Sequence, residues 1–271
     1  MRNRLFFSLI TLTFILTAIN GCKFRKIEKN DDWRVKYEAA LDYYESEDYY
    51  RASILFEQIL PIVRGLPEGE KVQFYLAYCQ YYQGIYLVAS HYFKTFYESY
   101  GRSGLVEEAR YMYAYSLYAD SPETNLDQTS THEALAALQN FLNKYPGSDF
   151  SKDTDKLILE LQNKLEKKGF DNAFHYFKLN LYQAAIVAFD NFKYEYPDSK
   201  YNEDALYYKL SAQYDLAEQS IRSKQMERYN DVKNSYEEFI DKYPESDFLK
   251  QAEKIYQNVL GKVSNFATVN K

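Results

Sequence analysis

The side chains that could do chemistry are few and far apart. There are two cysteines, Cys22 and Cys79, and three histidines, His91, His132 and His175. The histidines stand more than 40 residues from one another, so no Cys/His spacing of the kind that holds a metal is present. Cys79 lies in the apolar run Leu76-Ala77-Tyr78-Cys79, the setting of a small buried hydrophobe. Acidic groups such as Glu45, Glu47 and Asp48, or Glu107 and Glu108, fall at helix ends and turns, where carboxylates are solvated. There is no Gly-rich phosphate loop, no nucleophile elbow and no His-Glu-x-x-His. The expectation is a protein that is not an enzyme and needs no cofactor or metal. The net charge is −6, and Lys and Arg are dispersed, which argues against a nucleic-acid partner.

Cys22 is the exception, because of what precedes it. Met1-Arg2-Asn3-Arg4 is a short cationic head, and Leu5 to Ile19 carries no charge. Fifteen residues are too few for a membrane span, which needs about 20, but suit a signal peptide. The run ends Ile19-Asn20-Gly21-Cys22: an aliphatic residue, then a small one, then cysteine. This resembles a bacterial lipobox, with Asn20 a departure from the commonest pattern. The resemblance implies cleavage of residues 1–21 and lipidation of Cys22 on its thiol and its new amino group. Residues 22–32 then read as a lipidated cysteine and a polar tether.

The rest of the chain must be a scaffold, and its pattern is repetitive. Phe-x-x-x-Tyr-Pro-x-Ser-x-aromatic occurs three times, starting at Phe141, Phe192 and Phe239, 51 and 47 residues apart. A recurrence at this period marks a repeat array. Small-x-x-x-large-x-x-large recurs five times: Ala52/Phe56/Ile59, Ala89/Phe93/Phe96, Ala134/Leu138/Phe141, Ala185/Phe189/Phe192 and Val232/Tyr236/Phe239. Offsets of four and three put each triplet on one helical face, the small residue admitting a partner helix and the larger two filling the groove beside it. Ala40, Ala77 and Ala173 precede the first, second and fourth triplets by twelve residues and mark an earlier helix in each unit. Units three and five are expected to carry longer inter-helix loops near Ser121–Ser130 and Ile221–Met226, and unit five aligns through Ser211/Tyr214. Tyr-Pro ends the second helices, since proline cannot continue one, and the following Ser is read as an N-cap for the next. Only 9 glycines and 6 prolines against 30 tyrosines and 18 phenylalanines suit long helices with sparse punctuation.

These positions match the tetratricopeptide pattern, unit four best, through Ala173, Tyr176, Ala185, Phe189, Phe192 and Pro197. The expected fold is all-α: a superhelical array of five helix pairs over about residues 33–245, capped by a helix from Asp247 to about Lys262 that covers the last apolar face. The repeat domain spans 33–263 and 264–271 is a C-terminal tail, of which Phe266–Lys271 is read as frayed.

A lipobox followed by five such repeats and a terminal helix resembles the BamD family, lipoprotein subunits of the outer-membrane β-barrel assembly machinery. The resemblance is carried by Lys168-Gly169-Phe170-Asp171-Asn172-Ala173-Phe174-His175-Tyr176-Phe177, Tyr182-Gln183-Ala184-Ala185-Ile186 and Tyr194-Glu195-Tyr196-Pro197-Asp198-Ser199. It implies an outer-membrane lipoprotein on the periplasmic face. Its partners would be the periplasmic domains of the barrel-forming subunit and unfolded barrel proteins.

First helices of such repeats line a concave face. Their face positions here are Tyr37 and Tyr44 in unit one, Phe74, Tyr78, Tyr81 and Tyr82 in unit two, Tyr111, Tyr115 and Tyr118 in unit three, and Phe170, Phe174 and Phe177 in unit four. Tyrosine gives contact area with a hydroxyl that tolerates water, and a barrel strand alternates apolar and polar residues. The ladder is therefore expected to hold a partner or an unfolded peptide, with packing between units the competing use of each ring. A second reading is another periplasmic repeat lipoprotein that scaffolds cell-envelope or peptidoglycan machinery; a third is a surface lipoprotein whose tyrosines stack on glycans.

Overall fold

A computed structural model describes residues 23–269, with side chains through residue 265; the signal peptide and Cys22 lie outside that range. Eleven long helices follow one another, and no strand occurs among the described residues. They are α1 (Trp33–Glu45), α2 (Tyr49–Val63), α3 (Pro67–Tyr82), α4 (Tyr86–Ser99), α5 (Val106–Asp120), α6 (Thr129–Lys144), α7 (Thr154–Lys178), α8 (Tyr182–Glu195), α9 (Asn202–Glu218), α10 (Arg222–Lys242) and α11 (Leu249–Val269). A 3₁₀ turn, Asp149–Asp153, precedes α7. The first ten form the five expected pairs. None is long and apolar enough to cross a membrane.

The chain divides into two compact units. One comprises the described residues through Pro122 with Asp127–Leu161; the other comprises Glu123–Leu126 with the chain from Gln162 on. The division falls inside α7.

All fifteen residues of the small-large-large triplets are buried, from 0% exposure at Ala52 to 9% at Tyr236. Each buried large side chain is worth about 1.5–3 kcal/mol of apolar transfer, so the triplets account for much of the core. The small first-helix residues Ala40, Ala77 and Ala173 are buried too. In unit five the expected register is displaced: Ser211 is only half-buried, and its neighbour Ala212 is the fully buried small residue.

The twelve-residue offset between paired small residues has a backbone cause. Seven residues after each of Ala40, Ala77 and Ala173 stands a residue in the left-handed region: Glu47 (φ 62°), Gly84 (φ 76°) and Asn180 (φ 59°). The next N–H then reaches back over the helix end, from Asp48 to the Tyr43 carbonyl (2.8 Å), Ile85 to Gln80 (3.0 Å) and Leu181 to Tyr176 (3.0 Å). This is the Schellman termination, which satisfies carbonyls the helix end would leave open and turns the chain sharply into the second helix.

Four expectations change. The long loop of unit three is present between Asp120 and Thr129, but unit five has only a short connection, Gln219–Ile221; its extra residues lengthen α10 instead. The serine after Tyr-Pro is not the N-cap of the following α-helix in unit four, where Tyr201 caps α9 without a side-chain bond. Ser199 Oγ instead accepts from the Tyr201 N–H (3.2 Å) and donates to Glu166 (2.7 Å). Ser103 and Ser148 make the same clasp, each donating at 2.5 Å, to Glu70 and Glu107 respectively. The tail expected at 264–271 is helical through Val269, as part of α11. Finally, the tether is not free chain: residues 23–28 are helical, and Phe24 and Ile27 pack on the first core, with Phe24 edge-on to Tyr43 at 5.8 Å.

Candidate peptide-binding face

Within the first unit, the tyrosine positions are brought together into one connected band. Tyr44 meets Tyr49 (5.5 Å), Tyr49 stacks on Tyr82 (4.5 Å), Tyr82 meets Tyr81 (5.5 Å), and Tyr81 meets Tyr115 (6.1 Å). Tyr115 continues to Tyr111 (5.5 Å) and Tyr118 (5.6 Å), both stacked. Rings at four- and three-residue spacing on α5 share one helix face, which is why the stack follows the helix. Tyr78 joins through Tyr82 at 5.7 Å. Tyr37 stands outside the band and meets Trp33 edge-on at 6.4 Å.

Burial sorts these rings. Tyr82 is 50% exposed, while Tyr37, Tyr44, Tyr78, Tyr81, Tyr111, Tyr115 and Tyr118 are half-buried. Phe74 is 6% exposed and lies between Phe93 and Phe96, so it is a core residue; this corrects the expectation that it lines the face. In the second unit Phe170 is likewise buried at 8%, against Phe189 and Phe192. Phe174 and Phe177 remain half-buried, stacked on each other at 6.1 Å and both against Tyr208. Lys178 Nζ lies 4.8 Å from the Phe174 ring centroid, a cation–π contact at the edge of this cluster. Phe74 and Phe170 occupy one repeat position, three residues before the small alanine, and share its inward face.

Several hydroxyls of the band are shifted upward. Burial pushes the Tyr81 hydroxyl up to about 12, helped by Tyr115 and Tyr86. A hydrogen bond to Glu160 (2.5 Å) holds Tyr118 at about 12. Burial also raises Tyr37, Tyr44, Tyr78 and Tyr111, and Tyr78 donates to Glu108. A face whose shifted hydroxyls all move up keeps those groups protonated at physiological pH. What it offers is apolar area with polar points at the ring tips. Among the described residues no group of three His, Cys, Asp or Glu is placed to hold a metal ion. His91, His132 and His175 are all exposed on helices.

Reading first helices alone missed Tyr49, Tyr86 and Tyr182. Each opens a second helix, nine residues after the small alanine, and each meets the penultimate residue of the preceding helix, an aromatic. The pairs are Tyr44–Tyr49 at 5.5 Å, Tyr81–Tyr86 at 5.5 Å and Phe177–Tyr182 at 6.1 Å. The recurrence of Tyr at this position was the available signal.

Among curated proteins, none matches this chain. Among solved structures, the chain is similar to a crystal structure of a TPR repeats protein from Bacteroides fragilis, at 13% identity. The match covers 86% of this chain and all of that one, with a TM-score of 0.40. The model of the YfiO family, described as outer membrane lipoprotein, matches residues 29–229, from the end of the docked leader helix into α10. This chain therefore belongs to the YfiO outer membrane lipoprotein family.

Proposed function

We propose that this chain is a periplasm-facing scaffold, anchored through lipid on Cys22, that recruits unfolded β-barrel outer-membrane proteins and docks the periplasmic domains of a barrel-forming assembly subunit. The observation that carries the reading is the connected, half-exposed tyrosine band from Tyr44 to Tyr118 in a member of an outer membrane lipoprotein family. A strand of an unfolded barrel protein alternates apolar and polar side chains and carries aromatic girdle residues. Flat phenol rings accept the apolar set, and their neutral hydroxyls meet the polar set and the peptide backbone. Connected aromatic rings that keep a solvent-facing side ordinarily mark an interaction site. The Phe174/Phe177/Tyr208 cluster with Lys178 serves the second task, docking of the folded subunit.

The test is photocrosslinking in intact cells, with a photoreactive residue at Tyr82, the most exposed ring of the band, and another at Phe174. Nascent barrel proteins should be captured at Tyr82 and a large barrel-forming subunit at Phe174. Capture of cell-wall synthases alone would replace this reading with that of a peptidoglycan scaffold. Labelling of the chain from outside the cell, with neither partner captured, would favour a surface glycan binder.

A further inference from the structure

The first unit carries a second recess on different helix faces. It is a cavity of about 610 Å³, walled by α4 and α6 and floored by α5. Its charged lining is Lys94, Arg110 and Lys144 against the single acid Glu133, a local excess of positive charge in a chain whose net charge is −6. Arg110 and Tyr113 sit three residues apart on α5 and point away from the Tyr111/Tyr115/Tyr118 stripe of the same helix. The Arg110 guanidinium lies 4.1 Å from the Tyr97 ring centroid, and Tyr97 meets Tyr113 edge-on at 5.8 Å. The Tyr97 ring confines the Arg110 guanidinium, and its Nε is buried with no acceptor among the described residues. Such a fork is preorganised for a planar carboxylate. None of the three cations forms an ion pair among those the described residues show.

We infer that this recess binds an acidic polypeptide segment that interleaves carboxylates with aromatic or apolar side chains. Three features favour a polypeptide over a compact anion. The cations come from three helices, Lys94 midway along α4, Arg110 near the start of α5 and Lys144 in the last turn of α6. The lining runs along α6 from Glu133 to Lys144, about 16 Å at 1.5 Å per residue, which is the length of several extended residues. Between the charges stand Tyr97, Tyr113, Ala136 and Ala137 with Asn140 beside them, so ring and methyl surface alternates with polar points, as a mixed acidic and apolar segment requires. Glu133 at the other end gives the groove polarity and sets a direction for the bound chain.

The test uses the full chain in detergent and a short fluorescein-labelled peptide alternating Glu and Phe. Binding is followed by anisotropy and challenged with inorganic phosphate, with anionic phospholipid vesicles and with a Lys/Phe peptide of equal length. Lys94 and Lys144 are exposed, so the double variant Lys94→Glu/Lys144→Glu keeps the fold, which its unchanged helical signal and Tm would verify. The expected result is binding of the Glu/Phe peptide, weakened about tenfold or more in the double variant, as for the loss of charge-assisted contacts. Arg110→Lys, which keeps the charge and loses the fork, should also weaken it. Binding that is indifferent to these substitutions, equal binding of the Lys/Phe peptide, or displacement by phosphate or vesicles would each overturn the inference.

Discussion

Tyr49, the first residue of α2, stacks on Tyr82, the last residue of α3, with ring centroids 4.5 Å apart and planes 24° from parallel. The stack closes the gap between the first two repeats at their turn end and leaves one side of Tyr82 in solvent. Tyr82 is thus both a fastening and a surface, and the two uses have different energies. An aromatic pair is worth about 0.5–1.5 kcal/mol beyond its burial. Tyr82→Ala should therefore cost about 1–2 kcal/mol in urea unfolding, whereas Phe74→Ala, eight residues earlier on the same helix and buried, should cost about 3–5 kcal/mol. Equal losses would mean that Tyr82 is part of the core.

Two glycines differ in what a methyl group would meet. At Gly69 a Cβ would lie 2.4 Å from the Val63 carbonyl oxygen, a backbone atom that cannot step aside. At Gly169 it would meet ring edges of Tyr196 and Phe192 at 3.0 and 3.1 Å, which can give by a few tenths of an ångström. Gly69→Ala should cost about 1–3 kcal/mol through overpacking. Gly169→Ala sits inside α7, where the helical preference for Ala returns about 0.5–1 kcal/mol and nearly offsets the crowding. Thermal unfolding of the two variants side by side checks the order.

Glu47 holds a left-handed conformation (φ 62°) at the position where the second repeat has Gly84. A side chain there costs of order 1 kcal/mol. Glu47→Gly should raise the stability of the protein by about 0.5–1 kcal/mol with the fold unchanged, measured by chemical denaturation. A fall in stability would show that the Glu47 side chain contributes an interaction larger than its strain.

Glu238 on α10 accepts from Lys193 of α8 and from Lys242 one turn on (2.8 Å). Burial pushes its carboxyl up, but the two lysines outweigh it and hold the group at about 2. A carboxylate held below its ordinary value stabilises the fold above about pH 4.5, and that contribution is lost as pH falls through about 2. The pair is partly solvated, so Glu238→Gln should cost about 0.5–1 kcal/mol at neutral pH and almost nothing at pH 2. A pH series of urea midpoints for both proteins reads the difference directly.

The helix pairs were legible because burial in a repeat is periodic. Ala52, Phe56 and Ile59 point the same way in any α-helix, and five copies of that spacing leave one consistent solution. The tyrosine band was legible in part for the same reason. What escaped depended on backbone geometry rather than on period. Tyr49 reaches the band only because Glu47 turns the chain through the left-handed region. For Phe74 and Phe170 aromatic type says nothing of depth; their place three residues before a small alanine decides it. Phe24 and Ile27 lie at helical spacing, but Lys23, Arg25, Lys26 and Glu28 around them give the segment the composition of a solvated tether. Unit five shows the opposite limit, where Gln219–Met226 is polar enough for a loop and yet mostly extends a helix.

The packed leader helix has a geometric consequence. Ten extended residues, 23 to 32, could carry the repeats about 33–36 Å from their point of attachment and let them swing through any angle. With Phe24 and Ile27 seated against the first core, that reach disappears. A lipid on Cys22 would be joined to folded structure by a single peptide bond, so the bilayer would fix the height and tilt of the first repeat. The anchor would then act as a bracket instead of a leash, and a flexible insertion between Cys22 and Phe24 would return to the first repeat the swing that the packed helix removes.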